Sequence, residues 1–281
     1  MMKCRYAALL LVLAVLPLYP MEWPADGTIK KNFGWNDEGK PVLGVEFITE
    51  NQVMAAEQGE LLFSGAGING ASRLPSPLGS WTALDHGGGI IGIYSRMNGA
   101  ETPELVDRLQ NLGTPGITGW SSENGVYFSL FDRKERRWIN PVMIINPLPV
   151  TGAPAILSVK LRNQEGRIIE IGQERTISQG RYAIIAETSQ TIQGRSLAPF
   201  RIICSINGVE TGGLNFETYS ARDGVLMVYR NGLVPVRQIY SPYPAYELGT
   251  AGFARGQVTL EVIAQDAEGN SRNQVFRFTV E

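Results

Sequence analysis

The chain has 281 residues, one histidine, two cysteines, 32 glycines and a formal charge of −2. Hydrophobic residues at 43% and charged residues at 19% exclude a disordered chain, and the small net charge gives no pull toward nucleic acid or anionic lipid. So many glycines favour many tight turns and hence an all-β chain, long enough for two domains.

Lys3 and Arg5 precede an uninterrupted apolar run, Ala7 to Leu16, which Pro17 closes. That run is too short to span a bilayer as a helix and suits the core of a signal peptide over residues 1–20, cut near Pro20. No Ala-x-Ala site follows, so an uncleaved anchor is the alternative. The protein is therefore expected to be exported, to a periplasm or cell surface, and to touch a membrane only if this segment is retained. Cys4 lies before the apolar run, so it is not the lipid-bearing cysteine of a lipoprotein. Losing Lys3 and Arg5 takes the formal charge from −2 to −4. Cys204 is then the only thiol left, with no disulfide partner, and its place in the alternating run Arg201–Ile206 predicts a buried strand residue.

Short β-runs broken by glycine fill residues 22–146: Val42–Ile48, Gly59–Phe63, Trp81–Asp85, Gly89–Tyr94 and Val126–Phe131. The spacing predicts one helix over Pro103–Leu112, a packed connector. Thr102 would cap it, Leu105, Val106, Leu109 and Leu112 would share a face, and Gly113 would end it. The charged run Arg133–Arg137 is expected to be a solvated hairpin tip, with a docking patch as the sharper alternative. Pro147, Pro149 and Pro154 mark residues 147–154 as a linker.

Residues 155–281 carry the runs Ile156–Leu161, Arg167–Ile171, Tyr182–Ala186, Arg201–Ile206, Val225–Tyr229, Val258–Ala264 and Gln274–Val280. Asn207-Gly208 and Asp223-Gly224 are hairpin turn signals. This pattern predicts a β-sandwich resembling an immunoglobulin fold. The turn Asp266–Asn270 offers few oxygen ligands, so turn-making is its expected role rather than calcium binding. In Tyr240–Tyr246, prolines alternate with aromatics; the segment is either a ligand-stacking surface or, the favoured reading, a loop packed across the sandwich.

An ordered set of motifs runs through residues 24–142: Pro24-x-x-Gly27, Phe33-Gly34, Val42-Leu43-Gly44-Val45-Glu46, Val53-Met54-Ala55-Ala56-Glu57-Gln58-Gly59, Asp85-His86-Gly87, Tyr94-Ser95-Arg96-Met97, Gly125-Val126-Tyr127-Phe128-Ser129-Leu130 and Asn140-Pro141. Taken in this order it resembles the lysostaphin-type (LytM) zinc endopeptidases, which cut peptidoglycan cross-bridges. The resemblance implies an all-β, LytM-type core for residues 22–146. In that family zinc is held by residues in the slots of Val42, Glu46 and Ser129, and two assisting histidines fall in the slots of Arg96 and Tyr127.

None of those slots holds a histidine here, and the one histidine, His86, falls in a turn slot that is not a ligand position. A catalytic zinc needs three donors and an open position; valine has no lone pair and serine is a poor ligand. No metal or cofactor is therefore expected, and His86 is read as a turn residue bonded to nearby backbone. A Ser-His-Asp triad lacks its nucleophile elbow, and the carboxylates Glu46 and Asp85 are explained by their motif slots rather than by glycosidase chemistry.

The expectation is a pseudoenzyme: a non-catalytic cell-envelope protein that binds peptidoglycan or regulates a wall hydrolase, with Glu46, Arg96, Tyr127 and Ser129 lining the groove. Degenerate members of the resembling family activate wall amidases, which implies such a role. An active metalloendopeptidase with an atypical site and a structural envelope spacer are the alternatives.

Overall fold

Alternation of side chains builds the strands. In Gly125–Asp132, Val126, Phe128 and Leu130 enter the core, while Tyr127 and Ser129 fall on the opposite face. The computed structural model describes residues 21–65, 76–99, 102–147, 152–240 and 245–281. The expected signal segment 1–20, linker positions 148–151 and positions 241–244 lie outside them. Among the described residues no helix is long and apolar enough to cross a membrane.

The fold is all-β. One sheet runs through both halves of the chain, in the order Leu105–Val106, Gly59–Gly65, Trp81–Asp85, Ile90–Ser95, Gly125–Asp132, Arg137–Ile139, Val209–Arg222, Arg201–Ile206, Gly256–Gln265, Ser271–Val280. Val45–Ile48 also pairs with Gly125–Asp132, and Thr28–Lys31 pairs with Val45–Ile48. A second sheet joins Ile168–Glu170, Ala155–Asn163 and Gly180–Ile192, with Ala245–Phe253 also on the last. Leu161, Ile184 and Leu248 of this sheet share a core with Ile202, Cys204, Leu260 and Phe278 of the first. The turns at Asn207-Gly208 and Asp223-Gly224 have positive φ throughout, as expected.

The helix expected over Pro103–Leu112 is absent. Leu105–Val106 and Asn111–Pro115 are strands, and a turn with Leu109 at φ 61° joins them. Leu105 is 76% exposed while Val106 and Leu112 are buried, so these residues do not share a face. Pairing decides the outcome: Leu61 N–H donates to Glu104 O, Leu109 N–H to Ala55 O, and Ala55 N–H to Gln110 O. A helix would withdraw those backbone groups from the neighbouring strands.

The halves interlock rather than merely touch. Phe33 belongs to the core of the second half, and Ile192 and Leu197 to that of the first. Arg137–Ile139 pairs with Thr218–Ser220, and Asn140 continues the join, its N–H donating to Glu217 O at 2.8 Å and its side-chain amide to Phe216 O at 2.9 Å. Asn32 exchanges two hydrogen bonds with the backbone of Ala198, both 2.9 Å. Gln193 does the same with Ile29 N–H and Gly27 O. Side-chain amides thus complete backbone pairing where the chain changes direction.

Cys204 is buried in Arg201–Ile206, and burial pushes its thiol up to about 11. In a Cys4→Ser chain at about pH 8, a thiol reagent is expected to label only after denaturant unfolds the sheet. Labelling in plain buffer at the rate of a free thiol would show that this strand opens.

Candidate functional site

Glu46, Tyr127 and Ser129 lie on the face of the sheet that turns away from the first core. Glu46 and Tyr127 are directly opposite one another across the Val45–Ile48 and Gly125–Asp132 pair. Gly44 lets the chain lie flat on this face: an added Cβ would sit 2.2 Å from Phe128 O and 2.9 Å from both Ser129 Cβ and Tyr127 Cζ. Arg96 follows the strand Ile90–Ser95 and adopts a left-handed φ of 65°. Its guanidinium lies over the Tyr127 ring, 5.1 Å from the centroid, and Nη1 donates to Glu46 Oε2 at 2.8 Å.

A second cation completes the cluster. A β-bulge between Ile29 and Lys31 makes Lys30 the extra residue of its strand, and Lys30 Nζ stands 3.4 Å from Glu46 Oε1. The same ammonium reaches Ser122 Oγ at 3.3 Å and Glu123 Oε2 at 3.6 Å. The Glu46 side chain is only 7% exposed and those of Arg96 and Lys30 are 19% and 18%. Burial raises the Tyr127 phenol above its ordinary value, against the opposing pull of Arg96.

These residues do not fit the zinc ion of the resembling family. Val42 is buried and its backbone is tied to Gly34 and Trp35. Glu46, the one carboxylate among the three slots, is held by two cations whose charge would repel a dication. Among the described residues no group of three or more His, Cys, Asp or Glu side chains is placed to hold a metal.

His86 lies where its turn-residue reading put it. Nδ1 pairs with Gln58 O at 2.9 Å and Nε2 with the Tyr94 hydroxyl at 3.1 Å, while that hydroxyl accepts from Ala56 N–H. The arrangement satisfies a neutral ring, protonated at Nδ1 and accepting at Nε2. Burial lowers its pKa from the ordinary 6.5, outweighing the carbonyl of Gln58 and the charges of Glu57 and Asp85. As pH falls below about 6.5 the unfolded chain takes up a proton that the folded chain resists, so the stability contribution is full above that pH and is lost below it. The melting temperature is expected to fall between about pH 7 and pH 5 more steeply in the parent than in His86→Gln; equal slopes would remove His86 from the account.

The remaining candidates take structural roles. Tyr240 and Tyr246 are buried, their hydroxyls donating to Gly34 O at 2.8 and 3.2 Å, which agrees with a packed loop rather than a stacking surface; Tyr243 lies outside the described residues. Asp266 Oδ1 accepts from Glu268 N–H and Asn270 N–H, so this carboxylate shapes the turn. The run Arg133–Arg137 is a hairpin tip, held through Arg133 to Asp85 and Arg137 to Asp132. Sequence reasoning missed Lys30 and the 116–124 loop that carries Ser122, Glu123 and Trp120, the last 77% exposed. The bulge that aims Lys30 leaves no mark in the local pattern.

Solved structures similar to this chain include several peptidases. The catalytic domain of the prophage-encoded M23 protein EnpA from Enterococcus faecalis is 18% identical over 42% of this chain and 94% of that domain, with a TM-score of 0.34. The antimicrobial peptidase lysostaphin from Staphylococcus simulans is 17% identical over 74% of this chain and 85% of its own, at 0.34. A zinc-containing peptidase from Vibrio cholerae is 16% identical over 47% of this chain, at 0.36, and the chain spans 41% of that protein's length. A protein-family profile matches residues 153–281. No curated protein matches.

Proposed function

We propose that this chain is a non-catalytic, peptidase-like protein of the cell envelope, exported by residues 1–20, whose groove binds peptidoglycan or a wall hydrolase instead of cleaving a substrate. The observation that carries this reading is the Lys30–Glu46–Arg96 cluster. It places two cations on Glu46, the one carboxylate among the three slots, and through Lys30 it is tied to Ser122 and Glu123 of the 116–124 loop, which also exposes Trp120 and Ile117. Arginine over tyrosine and an exposed tryptophan are the residue types that anchor peptide and protein partners. Residues 22–146 would form the degenerate peptidase-like domain and 155–281 an immunoglobulin-like sandwich that adds a second contact surface.

Co-sedimentation with purified sacculi, pull-down from envelope extracts, metal analysis and wall digestion test it together. Retention on sacculi or on a hydrolase, lost in Trp120→Ala and unaccompanied by digestion, is the expected result. Stoichiometric zinc with cleavage, or retention on neither material, would defeat it. A rigid spacer is the second reading. The sheet that continues from Arg137–Ile139 into Val209–Arg222 favours it, and it predicts no retention on either material.

A further inference from the structure

The second half brings three arginines and one carboxylate to a single cleft. Arg162 comes from the strand Ala155–Asn163, Arg230 from the turn after Val225–Tyr229, and Arg237 from the 3-10 turn Val236–Gln238. With Glu247, Gln238 and Thr250 they line a cleft of about 400 Å³. Glu247 Oε2 accepts from Arg162 Nη2 at 2.6 Å and Oε1 from Arg230 Nη1 at 3.4 Å. One carboxylate cannot neutralise two guanidinium groups. Arg237 is exposed and has no carboxylate partner among the described residues.

Three positive charges therefore face one negative in a concave site, on a chain whose formal charge is −2. Low-dielectric walls concentrate such a local excess. Arg230 is 15% exposed and Glu247 18%, so this fork is held in place before any ligand arrives. Each guanidinium carries five donors, and Glu247 occupies only a few of them. Gln238 and Thr250 add neutral donors at the same cleft. A purely structural staple between strands would need Arg162, Arg230 and Glu247, but not Arg237.

We propose that this cleft binds an oxyanion, a phosphate or carboxylate group on a ligand of small-molecule size. None of its residues belongs to the groove, so the proposal stands whether or not the groove reading does.

The full chain would be titrated calorimetrically at constant ionic strength with inorganic phosphate and, separately, with acetyl-alanyl-alanine as a peptide carboxylate. At least one probe is expected to bind saturably, and Arg237→Ala to weaken it about tenfold or more with an unchanged melting temperature. Arg237→Lys should retain part of the affinity, since it keeps the charge and loses the fork. Binding of phosphate alone assigns a phosphoryl ligand and binding of the peptide alone a carboxylate one; both outcomes support the site. Absence of saturable binding by either probe below about 10 mM, or equal affinity in the parent and Arg237→Ala, would overturn it.

Discussion

Replacing Gly34 by alanine is expected to lower the melting temperature by roughly 6–12 °C. Gly34 has φ 82°, and an added Cβ would lie 2.8 Å from Cγ and Cδ1 of Phe216. Left-handed backbone costs a non-glycine residue about 1–2 kcal/mol, and overpacking a core adds about 1–3 kcal/mol. A total of about 3 kcal/mol corresponds to that shift at this chain length. The Gly34 carbonyl also accepts from the hydroxyls of Tyr240 and Tyr246, and the Tyr219 hydroxyl pairs with that of Tyr240. Burial raises all three phenols above their ordinary values. Any shift of Gly34 therefore disturbs a buried polar network as well as a packed ring. Because Phe33 and Gly34 come from the first half and Phe216 from the second, calorimetry should show one transition moving as a whole. Gly252→Ala, with open space at its Cβ and no positive φ, is the control and should stay within about 0.5 kcal/mol. Two separate transitions with only one displaced would mean that the halves fold independently.

Arg96→Met should destabilise the chain by about 2 kcal/mol, measured from the urea midpoint. Removing one partner of a buried pair strands the other, which costs about 3–5 kcal/mol when nothing else compensates. Lys30 remains 3.4 Å from Glu46, which reduces the loss. Arg96→Met with Glu46→Gln should recover most of the stability, because a neutral amide at position 46 no longer needs a counter-charge. Additive single effects would show that the 2.8 Å contact carries no coupling. Arg96→Met is not expected to confer zinc binding, because Val42 still offers no donor.

Short runs of β-forming residues were legible. Trp81–Asp85, Arg201–Ile206 and Val225–Tyr229 have the boundaries that their side chains predict. The long strand Val209–Arg222, which carries the sheet across both halves, was not. Gly212 and Gly213 interrupt its pattern, and both are there for close approach: a Cβ would lie 2.5 Å from Leu248 O at the first and 2.6 Å from Ile202 O at the second. Leu105, Val106, Leu109 and Leu112 mimic a helical face, but their backbone partners come from Glu60, Gly59 and Ala55, far away in the chain. Local spacing cannot report a distant partner.

The amino-acid sequence by itself determined which donors exist: one imidazole, and valine, glutamate and serine at positions 42, 46 and 129. The tertiary structure decided what that glutamate does instead. A bulge at Lys30 and a left-handed turn at Arg96 bring two cations from distant parts of the chain onto Glu46. Composition limits the chemistry available at a site, whereas the neutralisation of one charge by another depends on register, which is set by pairing across the whole sheet.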